Sequence, residues 1–197
     1  MQISFNTKKL QRGITLIEVS VGLIIAAVVA AAAFIAFQNN SRRNEVQSNT
    51  QSITETVAEL KQKFGRTNLF NSLTTTQAIA ASAISPNLAS SATAATNSYN
   101  GAISVGNGGL AAGDNSSAVM VWGNVPKAQC VDLLLAVESG AVAINVAAAG
   151  TGDPTAAPTG TAVKTTTSAF SAATASGTTA CGGTARSYDL IFTLAKA

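Results

Sequence analysis

A run of 24 residues near the N-terminus, residues 14–37, constrains this chain more than any other feature because it carries one charge, Glu18. A helix of that length, rising 1.5 Å per residue, is about 36 Å long and can cross the hydrocarbon core of a bilayer. Lys8, Lys9 and Arg12 precede the run. By the positive-inside rule they predict a cytoplasmic N-terminus and an exported remainder of the chain.

Three kinds of N-terminal segment share this basic start. A secretory signal peptide has an apolar region of only about 7–15 residues that ends in a small-residue cleavage site. A plain signal anchor fits the length and the flanking charges, but it gives no reason for an acid in the apolar run. The third kind is a precursor processed ahead of the run, and the residues at its start favour it.

The segment from Arg12 to Glu18, R-G-I-T-L-I-E, resembles the processing site of type IV prepilins. Gly, a hydrophobic residue and Glu stand there in fixed register ahead of a membrane helix. The resemblance implies that a membrane prepilin peptidase cuts after Gly13 and methylates the new amine of Ile14. It also implies that Glu18 acts in filament assembly.

Glu18 has a simpler interpretation as well, because a carboxylate near a helix N-terminus is stabilised by the helix dipole. An unpaired carboxylate in lipid or in a filament core nevertheless costs several kcal/mol. Cleavage would create a positive amine on Ile14, and the amine of one subunit could meet Glu18 of its neighbour. The complete motif favours this assembly role.

The net charge of +3 comes from the leader. The chain has 12 basic and 9 acidic side chains, and three of the basic ones lie in residues 1–13, so the remainder balances at 9 − 9 = 0. No direct nucleic-acid site is therefore predicted. Only 11% of the residues are charged, and such a surface suits burial against copies of itself.

Residues 38–64 are predicted to continue the helix as an amphipathic half, since they contain neither Pro nor Gly. Ile53, Val57, Leu60 and Phe64 recur at helical spacing and form one apolar stripe. Gly65 is the predicted stop. The long helix should therefore cover residues 14–64.

The remaining residues predict an α+β head. Helices are expected at residues 75–83 and 126–138, and strands at 101–105, 118–122, 141–147 and 187–194. The stretch 148–180 contains almost only Ala, Thr, Ser, Gly and Pro, and predicts an exposed loop. The expected fold is a long helix packed on a mostly antiparallel sheet, with a disulfide-bounded C-terminal region.

The chain has two cysteines, Cys130 and Cys181, and no histidine. An even pair in an exported domain predicts a disulfide, and two thiols without His make a poor metal site. The segments around them, VPKAQCVDLLLAVESGAVAINV and CGGTARSYDLIFTLAKA, resemble the class B type IV pilins, such as the toxin-coregulated pilin and the thin conjugative pilus pilin. The 13-residue leader is short for class B and long for class A, which leaves the subclass open.

Four regions follow: a cleaved leader (1–13), a membrane or filament-core half of the helix (14–37), an amphipathic half (38–64) and a head (65–197) with a disulfide loop (130–181). The predicted function is a structural subunit of a type IV pilus. The precursor should lie in the bacterial inner membrane with its head in the periplasm, and the assembled fibre should lie on the cell surface.

The expected partners are copies of the same chain, prepilin peptidase and the pilus assembly machinery of the inner membrane. The fibre would serve adhesion, aggregation, motility or DNA transfer. No catalytic constellation, metal site or cofactor is predicted. Two alternatives remain: a type II secretion pseudopilin, and a single-pass anchored periplasmic binding domain that would keep its leader and stay monomeric.

Overall fold

The computed structural model describes residues 15–66, 69–109 and 116–195. The chain divides into two compact units between Arg42 and Arg43. The described part of the first unit is almost entirely helix, and the second unit holds the sheet.

The first helix, α1, runs from Leu16 to Leu60 and continues as a π-helical turn, Lys61–Gly65. Its position confirms the predicted long helix over the described residues. The α-helical geometry ends before the predicted stop at Gly65. The wider last turn is held by its lysines, since Lys61 Nζ donates to the Gly140 carbonyl at 2.8 Å and Lys63 Nζ donates to the Ala81 carbonyl at 2.8 Å.

The described strands form one antiparallel sheet of six, in the order β1-β2-β3-β6-β4-β5. Their bounds are Ala95–Thr96 (β1), Ala102–Gly106 (β2), Ser117–Pro126 (β3), Ala143–Ala148 (β4), Thr161–Lys164 (β5) and Ser187–Ala195 (β6). Among them are all four strands predicted from the sequence, each placed within a few residues.

Strand β6 lies at the centre of the sheet because it is apolar on both faces. One face carries Leu190, Phe192 and Leu194 into the main core, where they join the buried stripe of α1. The opposite face carries Ile191 into a smaller cluster with Val119 of β3. The predicted fold class, a long helix packed on an antiparallel sheet, is confirmed.

Helix α3, Lys127–Val137, connects β3 to β4, which run parallel to each other on either side of β6. A connection between parallel strands must cross a face of the sheet, and an amphipathic helix is the usual means. The face that α3 buries holds the four predicted side chains, Cys130, Leu133, Leu134 and Val137. Helix α2, Thr75–Ala80, is also present, with a capping box formed by Thr74 and Gln77.

The expectation that residues 148–180 form only an exposed loop was wrong in part. The stretch contains strand β5 and a short helix, α4, Ala172–Ala175. Strand β5 is held mainly by main-chain pairing with β4, as between Ala162 and Asn145. A strand that is held by main-chain hydrogen bonds does not require alternating apolar residues, so the composition of this stretch did not reveal it.

Candidate assembly site

The apolar part of α1 is exposed along its whole length. The exposed fraction is 89% for Leu16, 66% for Leu23 and 70% for Phe37. The most apolar window of the helix has a mean hydropathy of 2.7 and no buried residue. By length and composition this is the one helix among the described residues that could cross a membrane. An apolar surface of this extent marks contact with lipid or with other chains.

Glu18 lies in the first turn of α1. Its Oε2 accepts hydrogen bonds from the Thr15 backbone N–H at 3.0 Å and from the Thr15 hydroxyl at 2.9 Å. These contacts are those of a helix-start acid in a capping position. Both use Oε2, and no hydrogen bond to Oε1 occurs among the described residues. Gly13 and Ile14 lie outside those residues, so cleavage and methylation stay predictions.

The predicted disulfide is present in the head. Cys130 of α3 is bonded to Cys181, 51 positions later, with 5.8 Å between their Cα atoms. A second clamp lies beside it, because Lys127 Nζ donates to the carbonyls of Gly182 at 3.3 Å and Gly183 at 2.6 Å. Together they fasten the start of α3 to the chain that leads into β6. Lys127 was not among the predicted site residues, although its position three residues before Cys130 was an available signal.

Asp189 of β6, also missed, is a third fastening point. It is 3% exposed, and its Oδ2 accepts hydrogen bonds from the backbone N–H groups of Gly150 at 2.8 Å, Thr151 at 3.1 Å and Gly152 at 3.0 Å. Its Oδ1 accepts from the N–H of Asn124 at 3.1 Å. The carboxylate thus holds the chain after β4 against the sheet. An acid inside an apolar strand was the signal in the sequence.

The lysines in the described part of the head donate to main-chain carbonyls. Lys61 and Lys164 bond to the carbonyls of Gly140 and Glu138, at 2.8 and 2.6 Å, in the 3-10 turn Glu138–Gly140 after α3. Burial, and secondarily the charge of Lys164, lowers the pKa of Lys61.

Among residues 15–66, 69–109 and 116–195, no group of three or more His, Cys, Asp or Glu side chains could hold a metal ion. A cleft of about 460 Å³ opens beside the end of β4. Its lining has no charged side chain and consists mainly of alanine, glycine and threonine, with Tyr188. The side chains described in the head therefore serve to hold its segments together and to pack its core.

The apolar helix with its lone acid, joined to a disulfide-fastened antiparallel head, defines a type IV pilin. Residues 41–195 match the family described as PilS N terminal, and residues 8–34 match the prokaryotic N-terminal methylation motif. Since the first match covers most of the chain, the chain belongs to the PilS N-terminal family of type IV pilins.

The chain is also similar to the solved structure of TcpA, a type IV pilin from Vibrio cholerae El Tor biotype. The TM-score is 0.47 and the sequence identity is 18%, over 74% of this chain and 98% of that chain. No curated protein sequence matches the chain.

Proposed function

We propose that this chain is the structural subunit of a type IV pilus, made as a membrane-anchored precursor and polymerised through α1. One observation carries the proposal: an apolar helix surface that is exposed to solvent among the described residues, with Glu18 as its one acid. A free subunit needs lipid to cover that surface. In a fibre, the same surface is covered by the helices of neighbouring subunits.

Processing is the first step. Prepilin peptidase cuts after Gly13, removes the leader with Lys8, Lys9 and Arg12, and methylates the amine of Ile14. The cut has an electrostatic consequence, because it places a positive amine four residues before Glu18. The membrane helix then carries one cation and one anion near the same end.

Assembly is the second step. The amine of Ile14 in one subunit meets Glu18 of its neighbour and sets the register between their helices. The contacts of Glu18 are compatible with this role, since both hydrogen bonds from Thr15 use Oε2 and a neighbour's amine can approach Oε1. A desolvated ion pair requires such close hydrogen bonds on both groups.

These two steps also indicate where the precursor lies and which other partners it meets. The precursor lies in the inner membrane with its head in the periplasm, where the pilus assembly machinery collects it. The extracellular fibre then serves adhesion, aggregation, motility or DNA transfer through the outward faces of its heads.

The test is mass spectrometry of the main protein in fibres sheared from the cell surface. The expected chain begins at N-methylated Ile14, and Gly13→Ala should leave an uncleaved precursor in the membrane. An intact Met1 on the assembled protein would rule out processing, whereas an intact Met1 on a chain that stays monomeric in the membrane would favour an anchored binding domain. A processed chain without long surface fibres would favour the pseudopilin.

A further inference from the structure

The side of α1 that packs on the head is not purely apolar. Its buried residues are Asn49, Ile53, Thr56, Val57 and Leu60. Asn49 is 2% exposed, and its amide makes hydrogen bonds to fixed groups of the head. A buried polar side chain is costly unless it is paired, and its pairing geometry therefore has to be satisfied.

The Asn49 amide uses both its oxygen and its nitrogen. Oδ1 accepts from the indole N–H of Trp122 in β3 at 3.2 Å. Nδ2 donates to the hydroxyl of Ser98 at 2.6 Å and to the carbonyl of Glu45, one turn earlier in α1, at 2.8 Å. Beside it, Gln129 Nε2 of α3 donates to Glu45 Oε2 at 2.8 Å. Three separate segments of the head thus hold one turn of α1.

The apolar part of the stripe defines only in part where α1 sits along the head. Moving the helix by four residues would bring Ile53 to the place of Asn49 and Val57 to the place of Ile53. It would also bring Leu60 to the place of Thr56 and Phe64 to the place of Leu60. Four of the five buried places would still hold an apolar side chain, whereas the place of Val57 would receive Lys61, and the head would move about 5.4 Å along the helix.

The polar contacts oppose that slip. With Ile53 in the place of Asn49, the buried indole N–H of Trp122 would lose its acceptor. A single buried asparagine in an apolar helix seam is known to specify register in this way. We propose that Asn49, through Trp122 and Ser98, is a positioning residue that fixes the axial register of α1 on the head.

This inference rests on the proposed function for its consequence. Glu18 would set the register between helices of neighbouring subunits, and Asn49 would set the register between the helix and the head within one subunit. A regular fibre needs both, because a head displaced by one turn on some subunits would meet its neighbours at the wrong level.

The test measures register in the unassembled full-length chain in detergent, so its outcome does not depend on whether fibres form. Spin labels are placed at Ala58→Cys on α1 and Ala128→Cys on α3, two exposed positions. The native cysteines are both in the disulfide and do not react. Pulsed electron resonance then gives the distribution of distances between the labels.

Asn49→Leu should add a second distance that corresponds to a displaced helix. The population of this state should rise at least about tenfold, the factor that one lost buried hydrogen bond represents. Asn44→Leu is the matched control, since it makes the same substitution at an exposed position of α1 and should leave one distance.

Asn49→Leu combined with Trp122→Phe separates register from stability, and it decides the question if Asn49→Leu alone fails to fold. Removing both partners leaves no buried indole unpaired, so the loss of unfolding free energy in the double variant should be smaller than the sum of the losses from Asn49→Leu and Trp122→Phe made singly. The second distance should remain. A single native distance in the double variant would overturn the proposal and leave Asn49 as a local structural residue.

Discussion

Two segments of α1 carry large apolar side chains in opposite surroundings. Leu23 and Phe34 of the first segment are 66% and 60% exposed, whereas Ile53 and Leu60 of the second are 1% and 0% exposed. The second segment finds its cover inside the chain, on the sheet and α3. The first has no cover within the described residues. The two segments therefore have different roles. The second helps the head to fold through contacts within the chain, and the first depends on contacts with lipid or with other copies of the chain.

The largest expected effect tests that separation at Glu18. Glu18→Val should leave insertion and cleavage intact, because it makes the helix more apolar, and it should leave head stability unchanged. Incorporation into fibres should fall by about a hundredfold or more, since truncating one member of a desolvated ion pair costs about 3–5 kcal/mol. The measurement is the yield of sheared fibres alongside a membrane blot for processed protein.

Glu18→Gln is the graded control and should give an intermediate yield, because it keeps a hydrogen bond and loses the charge. Normal fibre yield from Glu18→Val with processing intact would refute the register role. Glu18 would then be only the helix-start acid that its bonds to Thr15 describe.

Removing the disulfide tests the other region in the comparison, the head that is held together by internal contacts. Cys130→Ser together with Cys181→Ser should destabilise the head by about 4 kcal/mol, because the bond closes a loop of 51 positions that the unfolded chain would otherwise sample freely. Membrane insertion should be unaffected. Urea unfolding of the full-length chain in detergent measures the loss, and an unchanged midpoint would show that the Lys127 clamp suffices alone.

Asp189 sharpens the comparison within the head. Asp189→Ala removes the acceptor for four backbone N–H groups, three of them in the segment Gly150–Gly152, and should lower the free energy of unfolding by about 3 kcal/mol. Hydrogen exchange should accelerate first at Gly150, Thr151 and Gly152. Asp153→Ala is the matched control, because Asp153 is exposed and, within the described ranges, its side chain bonds only to Thr155. Equal losses from the two variants would argue against a special role for Asp189.

The sequence predicted the elements whose apolar residues follow a regular period. The stripe of Ile53, Val57, Leu60 and Phe64 is buried as expected, and so is the predicted face of α3. The disulfide was predictable because export and an even cysteine count leave few other roles. Periodicity shows which face of a helix or strand is apolar. It therefore predicted correctly the elements that are held in place by burial of that face.

The elements that sequence reasoning missed depend on main-chain groups or on single polar side chains. Strands β1 and β5 are short and rich in Ala and Thr, so their pairing left no apolar period to detect. Asn49 bonds to head residues 49 and 73 positions away. Lys127 bonds to carbonyls 55 and 56 positions away, and Asp189 accepts from residues 37 to 65 positions away. No local pattern encodes such partners. The role of Glu18 in assembly lies beyond one chain and stays a prediction.

The smallest expected effect is a pH dependence at Tyr99, close to the turn of α1 that Asn49 holds. Burial, and secondarily the negative charge of Glu45, raises the pKa of Tyr99 to about 12. In the unfolded chain the pKa is about 10. Between these values the folded head keeps the phenol proton and the unfolded chain loses it, so this contribution to stability is complete below pH 10 and disappears as the pH rises toward 12.

A shift of this size would correspond to more than 2 kcal/mol for a fully buried group, but Tyr99 is half-buried and solvent screening reduces the effect to about 1 kcal/mol. Tyr99→Phe should nearly match the native chain near pH 8, because among the described residues the Tyr99 hydroxyl makes no hydrogen bond of good geometry, although the Asn49 side chain lies close enough to oppose part of the rise in its pKa. Above pH 10 the variant should become the more stable of the two. Urea midpoints of both chains at pH 8, 10 and 11.5 isolate this difference from the titration of lysines, which the two chains share. Parallel curves across that range would show that Tyr99 ionises equally in the folded and unfolded chain, and that the turn around Glu45 and Asn49 is open to water.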